Sequence, residues 1–175
     1  MTSTLAVLLA VALLGCSQPP APEAVAPEAS AAAAPAPAAA GADASASAEA
    51  ALPLVVVHKD PYCGCCNAWI EHMRHAGFPV EARNEADMGP VKASAGVPPG
   101  KGSCHTAIVD GYLIEGHVPA ADVKRLLAER PDARGLVLPG MPMGSPGMET
   151  PDGRTQPYTV ELVANDGSTT PYARH

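Results

Sequence analysis

Tyr62-Cys63-Gly64-Cys65-Cys66-Asn67 packs three thiols into four positions, and the segments on either side limit what such a cluster can be built into. Before it, Pro53 to His58 is a β-branched run that reads as a buried strand. After it, Cys66, Trp69, Ile70, Met73 and Ala76 mark the apolar stripe of a helix, with Gly77 as its stop. The thiols therefore lie on a strand-to-helix turn. A lone Cys packs like a small hydrophobe, but three around one Gly are not core filler. Cys65 and Cys66 are adjacent, and bridging them would strain the intervening peptide, so one simple local disulfide does not account for all three. Two chemistries stay open. Clustered thiolates suit a soft ion such as Cu(I), with zinc a weaker candidate because its structural sites draw on separated ligand pairs. Cys63 and Cys66 also have the C-x-x-C spacing of a redox dithiol at a helix N-terminus.

The rest of the folded part follows a regular order. Phe78 to Ala82 reads as a second strand, and a short helix starting at Asn84 or Asp87 runs through Val91 to Ala95. A Gly/Pro loop leads to a third strand, Cys104 to Val109, and Asp110-Gly111 turns it into Tyr112 to Glu115. Pro119 to Arg130 is a further helix, with Pro119 in its first turn and Val123, Leu126 and Leu127 on its buried face. Strand, helix, strand, then hairpin and helix is the thioredoxin-like arrangement of an α/β domain. Beyond it lie a Gly/Pro/Met loop, Gly135 to Met148, and a second hairpin whose arms flank Asp166-Gly167.

The N-terminal third has a different character. Leu5 to Leu14 is an apolar run too short to span a bilayer and suited to a signal sequence. It ends in Leu13-Leu14-Gly15-Cys16, which resembles a bacterial lipobox, although no Lys or Arg precedes it. Residues 1–16 are thus expected to be a signal peptide, with Cys16 lipidated and the chain carried to the periplasm. Ser17 is similar to the residue that sorts such lipoproteins to the outer membrane. Residues 17–51 are almost wholly Ala, Pro, Ser and Glu and cannot bury enough apolar area to offset the entropy of ordering them, so a disordered tether is expected. Residues 52–175 form one domain of roughly 120 residues. The tether holds four of the 18 acidic residues and none of the 11 basic ones, which leaves the remainder at a net charge of −3. No basic stripe exists to neutralise phosphates, so nucleic acid is excluded as a partner, and the membrane is reached through the lipid anchor alone.

Four motifs in order give a specific resemblance. They are Cys63-Gly64-Cys65-Cys66, Ser103-Cys104-His105-Thr106-Ala107, Glu115-Gly116-His117-Val118-Pro119-Ala120, and Pro139-Gly140-Met141-Pro142-Met143-Gly144-Ser145-Pro146-Gly147-Met148-Glu149. From Leu52 to His175 the chain resembles the CopG-like family, a domain of unknown function whose members are periplasmic and associated with copper handling. The resemblance implies a thioredoxin-like fold with a Cys-x-Cys-Cys copper site. Copper ions, and other periplasmic copper proteins as donors or acceptors, are the partners it suggests.

The candidate ligands are Cys63, Cys65, Cys66 and Cys104. The helix N-terminus favours thiolates at the turn, and a thioredoxin-like third strand starts beside that turn, which brings Cys104 close. Clustered thiolates can bridge several Cu(I) ions, so a multinuclear centre is one of the arrangements left open. Two disulfides among the four cysteines are the structural alternative in an oxidising compartment. His117, at the end of the second hairpin strand, is a candidate for an additional ligand or a supporting contact. His105 is a weaker one, because strand alternation is expected to point it away from Cys104. His58 is a modest candidate, and His72 and His75 are expected on a solvated helix face. Met141, Met143 and Met148 offer soft thioethers, although Met also fills irregular gaps under loops. The first functional reading is a protein that sequesters or shuttles Cu(I), with redox interconversion of the copper left open, and a thiol–disulfide oxidoreductase using Cys63 and Cys66 remains the alternative. Against it, Cys104 stands where thioredoxins carry a cis-Pro, and Cys65 within the pair invites misbridging.

Overall fold

The computed structural model describes residues 51–175. The segments expected to be a signal sequence with a lipidated Cys16, and all but the last residue of the expected tether, lie outside the described residues. Ten elements follow one another: β1 (Val55–Lys59), α1 (Gly64–His75), β2 (Val80–Asn84), α2 (Met88–Ala95), β3 (His105–Val109), β4 (Tyr112–Glu115), α3 (Ala120–Glu129), β5 (Gly135–Val137), β6 (Thr159–Val163) and β7 (Thr169–Arg174). The strands make a single seven-stranded sheet in the order β2-β1-β3-β4-β5-β6-β7. β1 pairs with β2 in parallel across α1, and β3 lies antiparallel to both β1 and β4.

Local chemistry explains the boundaries. Cys63 caps α1, its side chain accepting the Cys66 N–H. The helix ends in a Schellman motif: Gly77 N–H donates to Arg74 O and Phe78 N–H to Met73 O, with Gly77 at φ 95°. Asp87 caps α2 through Gly89 N–H. Alternation in the strands then divides the sheet's two faces. Val55, Val57, Ala107, Val109 and Ile114 meet Trp69, Ile70 and Met73 of α1 and Val123 and Leu126 of α3 in the main core. Leu113, Val137 and Val163 face the other way, against Ala95 and Val97.

One element differs from the sequence expectation. Gly135 to Val137, read as the start of a loop, is strand β5, parallel to β4 and antiparallel to β6. It joins the C-terminal hairpin to the main sheet. Three residues are too few to display a period, so the pattern did not reveal it. Gly135 is required there: a Cβ at this position would lie 1.9 Å from Leu113 O.

Candidate metal centre

Three chain segments converge beside the first turn of α1. Asp60 shapes the approach, its Oδ1 accepting the Tyr62 N–H at 2.7 Å and its carbonyl the Cys63 N–H at 3.1 Å. Cys63 and Cys66 are joined by a disulfide, whereas Cys65 and Cys104 carry free thiols. Cys65 Sγ lies 3.5 Å from Cys63 Sγ and 4.0 Å from Cys104 Sγ. One ligand atom from each of the four cysteines falls within 4.8 Å of the others. The structure thus brings all four expected cysteines together.

Cys104 also borders two imidazoles. Its Sγ is 3.0 Å from His117 Nε2 and 3.3 Å from His105 Nδ1. On the other side of the His117 ring, Nδ1 lies 2.7 Å from the Pro146 carbonyl. A carbonyl only accepts, so Nδ1 carries the proton and Nε2 turns its lone pair toward Cys104. Cys104, His105 and His117 form a second set of closely spaced ligand atoms. The expectation that His105 would point away from Cys104 is corrected here. β3 begins at His105, and Cys104 belongs to the bend before it, so strand alternation does not relate the two side chains. His105 stacks at a tilt on Trp69, ring centroids 4.4 Å apart, and Trp69 Nε1 donates to Val118 O. Among the described residues, His105 Nε2 is the one buried side-chain nitrogen or oxygen without a hydrogen-bond partner.

Burial sets the protonation of these groups. It pushes the Cys104 thiol up to about 12, reinforced by the neighbouring Cys65, so without metal this thiol stays protonated. Burial also lowers His117, against the opposing pull of the Pro146 carbonyl, and holds His105 well below the ordinary histidine range, with His117 and Lys92 adding to the effect. Both rings are neutral near pH 7, the form in which imidazole ligates.

The support beneath Cys104 was not singled out from sequence. Glu115 is buried at the end of β4 and accepts three hydrogen bonds: Ser103 N–H at 2.6 Å, Lys92 Nζ at 2.5 Å and Thr106 Oγ1 at 2.7 Å. Ser103 Oγ donates to Gly140 O. The residue before Cys104 is thereby tied to β4, α2 and the Met loop. The available signal was period two: Glu115 shares a face with Leu113, which a solvated carboxylate would not do.

The remaining candidates separate. Met141, Met143 and Met148 line an open pocket of about 380 Å³ formed by the Gly/Pro loop. His58 pairs with Glu85 at 2.7 Å, on the α2 side of the sheet. His75 is exposed and bonds Glu71 O. His72, expected on a solvated face, is half-buried, and its Nε2 accepts the Ala120 N–H at 3.0 Å at the start of α3. The helix that follows the hairpin packs its first turn onto α1, which a stripe read from one helix alone does not show.

An α/β sheet with a thiol-rich centre at a strand-to-helix turn defines the class. The family model described as "Protein of unknown function, DUF411" matches residues 101–148, a span holding Cys104, His105, His117 and the three loop methionines but not the Cys63–Cys66 turn. Two solved structures, "Copper resistance protein copG- Form 1" and "Form 2", are each 47% identical to this chain. Each alignment covers 71% of this chain and 98% of the other, with a TM-score of 0.67. No curated protein matches. The chain belongs to the CopG-like DUF411 family. No helix among the described residues is long and apolar enough to cross a membrane.

Proposed function

We propose that this chain is a periplasmic copper-resistance protein whose domain holds Cu(I) through Cys63, Cys65, Cys66 and Cys104. The observation that carries the reading is the convergence of four sulfurs, within 4.8 Å of one another, from a helix turn and a strand start. Sulfur is the donor a soft monovalent ion favours. His117 Nε2, fixed by the Pro146 carbonyl and 3.0 Å from Cys104 Sγ, is an additional ligand in this reading, and His105 supports the same sulfur. Full thiolate coordination uses the form in which an external dithiol has reduced the Cys63–Cys66 disulfide by exchange, itself leaving as a disulfide, and ion uptake then releases the thiol protons, that of Cys104 included, to solvent. Several ions bridged by the thiolates would satisfy the same geometry. The order β2-β1-β3-β4, with a parallel β1–β2 pair across α1, supports a thioredoxin-like description of the domain, residues 52–175, with the C-terminal loop and hairpin appended to it. We assign residues 1–16 to a signal with lipobox and 17–51 to a tether, with lipidated Cys16 as anchor to the outer membrane. Other copper proteins of the same compartment are the partners this placement offers.

Anaerobic Cu(I) titration of the reduced chain against a competing chelator tests the reading. Changing Cys63, Cys65 and Cys66 together to Ser should abolish high-affinity binding with the fold retained, and unchanged stoichiometry would refute it. One observation favours a second reading: the Cys63–Cys66 disulfide at the α1 N-terminus suits a thiol–disulfide oxidoreductase. Turnover in an insulin-reduction assay, without copper uptake, would select it.

A further inference from the structure

The Gly/Pro/Met loop is unusual in where it spends its methionines. Met73 shows the ordinary use of this side chain, fully buried in the core beneath α1. The loop methionines do otherwise. Met141 is 51% exposed, and Met143 and Met148 are half-buried around the same open pocket. Filling a gap calls for none of this, because the pocket stays open.

The loop is also built to hold its shape. Gly144 N–H donates to Met148 O at 2.9 Å, Met148 N–H to Ser145 O at 2.8 Å, and Gln156 N–H to Met143 O at 3.0 Å. Ser145 is buried, and its Oγ donates to Pro142 O at 2.7 Å. The three thioethers therefore hang from a backbone whose polar groups are already paired. Glu149 lines the same pocket as the three methionines, its carboxylate accepting the Gly147 N–H at 2.9 Å.

The far side of this loop touches the thiol cluster. A Cβ on Gly147 would lie 2.8 Å from both Cys65 O and Trp69 N, so the loop backbone rests on the first turn of α1. One residue earlier, Pro146 O takes the His117 Nδ1 proton. Gly147 thus lines the pocket on one side and lies against the backbone of Cys65 on the other.

We propose that Met141, Met143 and Met148 form a separate thioether site for a soft monovalent cation, Cu(I) or Ag(I), which loads the thiol cluster behind it. The loading role rests on the function proposed above; the binding site does not. Thioethers are soft, neutral donors with no acidic proton, so an ion enters without displacing one and is held weakly enough to leave. Passage to the cluster is a ligand exchange: thioether–metal bonds break, thiolate–metal bonds form, the thiol protons go to solvent, and no electron moves.

The test uses the full chain, reduced, with its methionine methyls labelled with carbon-13, titrated anaerobically with Cu(I) supplied as its acetonitrile complex. After the thiolate-to-Cu(I) absorption band saturates, further ion should shift the methyl resonances of Met141, Met143 and Met148 and leave those of Met73 and Met88 in place. Replacing the three loop methionines with Leu, a near volume-conserving change, should leave the saturating band intact and slow its growth severalfold when Cu(I) is limiting. Loop methyls that stay put when ion is added beyond saturation of the band overturn this proposal alone. Loop methyls that shift no more than Met88 overturn it equally. Loop methyl shifts without any thiolate band support the site and instead refute the thiol reading and the loading role.

Discussion

Glu115 is the residue whose loss should be felt furthest from where it sits. Its carboxylate is fully buried and pairs with Lys92, whose side chain is 22% exposed, while also accepting from Ser103 N–H and Thr106 Oγ1. Glu115→Ala leaves an ammonium partly buried without its partner and two further donors unpaired. Breaking a buried pair in this way costs about 3–5 kcal/mol. At roughly 3–5 °C per kcal/mol for a domain near 125 residues, the melting temperature should fall by about 10–20 °C. Glu115→Gln keeps an acceptor of the same shape and removes the charge, so its cost should be about 1–2 kcal/mol. Glu115→Leu combined with Lys92→Met removes both partners and should recover part of the loss. Urea unfolding followed by circular dichroism on the reduced, metal-free protein measures all three. A loss below about 1 kcal/mol for Glu115→Ala would refute the argument, because a buried pair cannot be dissected so cheaply. The same would follow if the double variant fell further than the single one.

Cys104→Ser should lower Cu(I) affinity or stoichiometry in the chelator assay with helix and sheet content preserved, since a hydroxyl is a poor donor for a soft ion. If the second reading holds, that variant should instead keep its exchange activity through Cys63 and Cys66. Gly147→Ala should lower stability by about 1–3 kcal/mol, because its φ of 84° and the 2.8 Å approach to Cys65 O and Trp69 N leave no room for a methyl; thermal melts measure this, and a neutral result would show the loop does not rest on α1. Burial lowers the His72 pKa, and its neutral Nε2 accepts from Ala120 N–H. Its contribution to stability is therefore complete above the unfolded value near 6.5 and is lost as pH falls through the lower folded value. Unfolding free energies of His72→Gln and the parent, measured between pH 4 and 8, should converge at the acid end; a constant difference would refute the role.

Much of this architecture was legible because each long element carries its own period and punctuation. The β-branched run before Cys63, the stripe from Cys66 to Ala76 and the Asp110-Gly111 turn each place an element to within two or three residues. Strand β5 was not legible, since three residues carry no period and its pairing with β4 and β6 is a tertiary fact. The site divides in the same way. The three thiols of the turn declare themselves by proximity in sequence, and Cys104 by the topology expected of the fold. The relation of Cys104 to His105 was misjudged because alternation applies only inside a strand, and the strand starts one residue later. Glu115 and the Pro146 carbonyl escaped notice because their roles are defined by partners 12 and 29 residues away.

Those separations bear on what the Cys-Gly-Cys-Cys turn is worth by itself. Cys65 meets Cys104 across 39 residues, and the imidazole beside Cys104 is oriented by a carbonyl a further 29 residues along from it. A short peptide spanning Tyr62 to Asn67 would own three of the sulfurs and none of the walls. It would have to order itself around each ion it captured, at an entropic cost the folded domain has already met. In the copper reading proposed above, the gap between the affinities of peptide and domain therefore combines preorganisation with the missing Cys104 and His117, and grafting the motif onto another helix would carry over three donors without either.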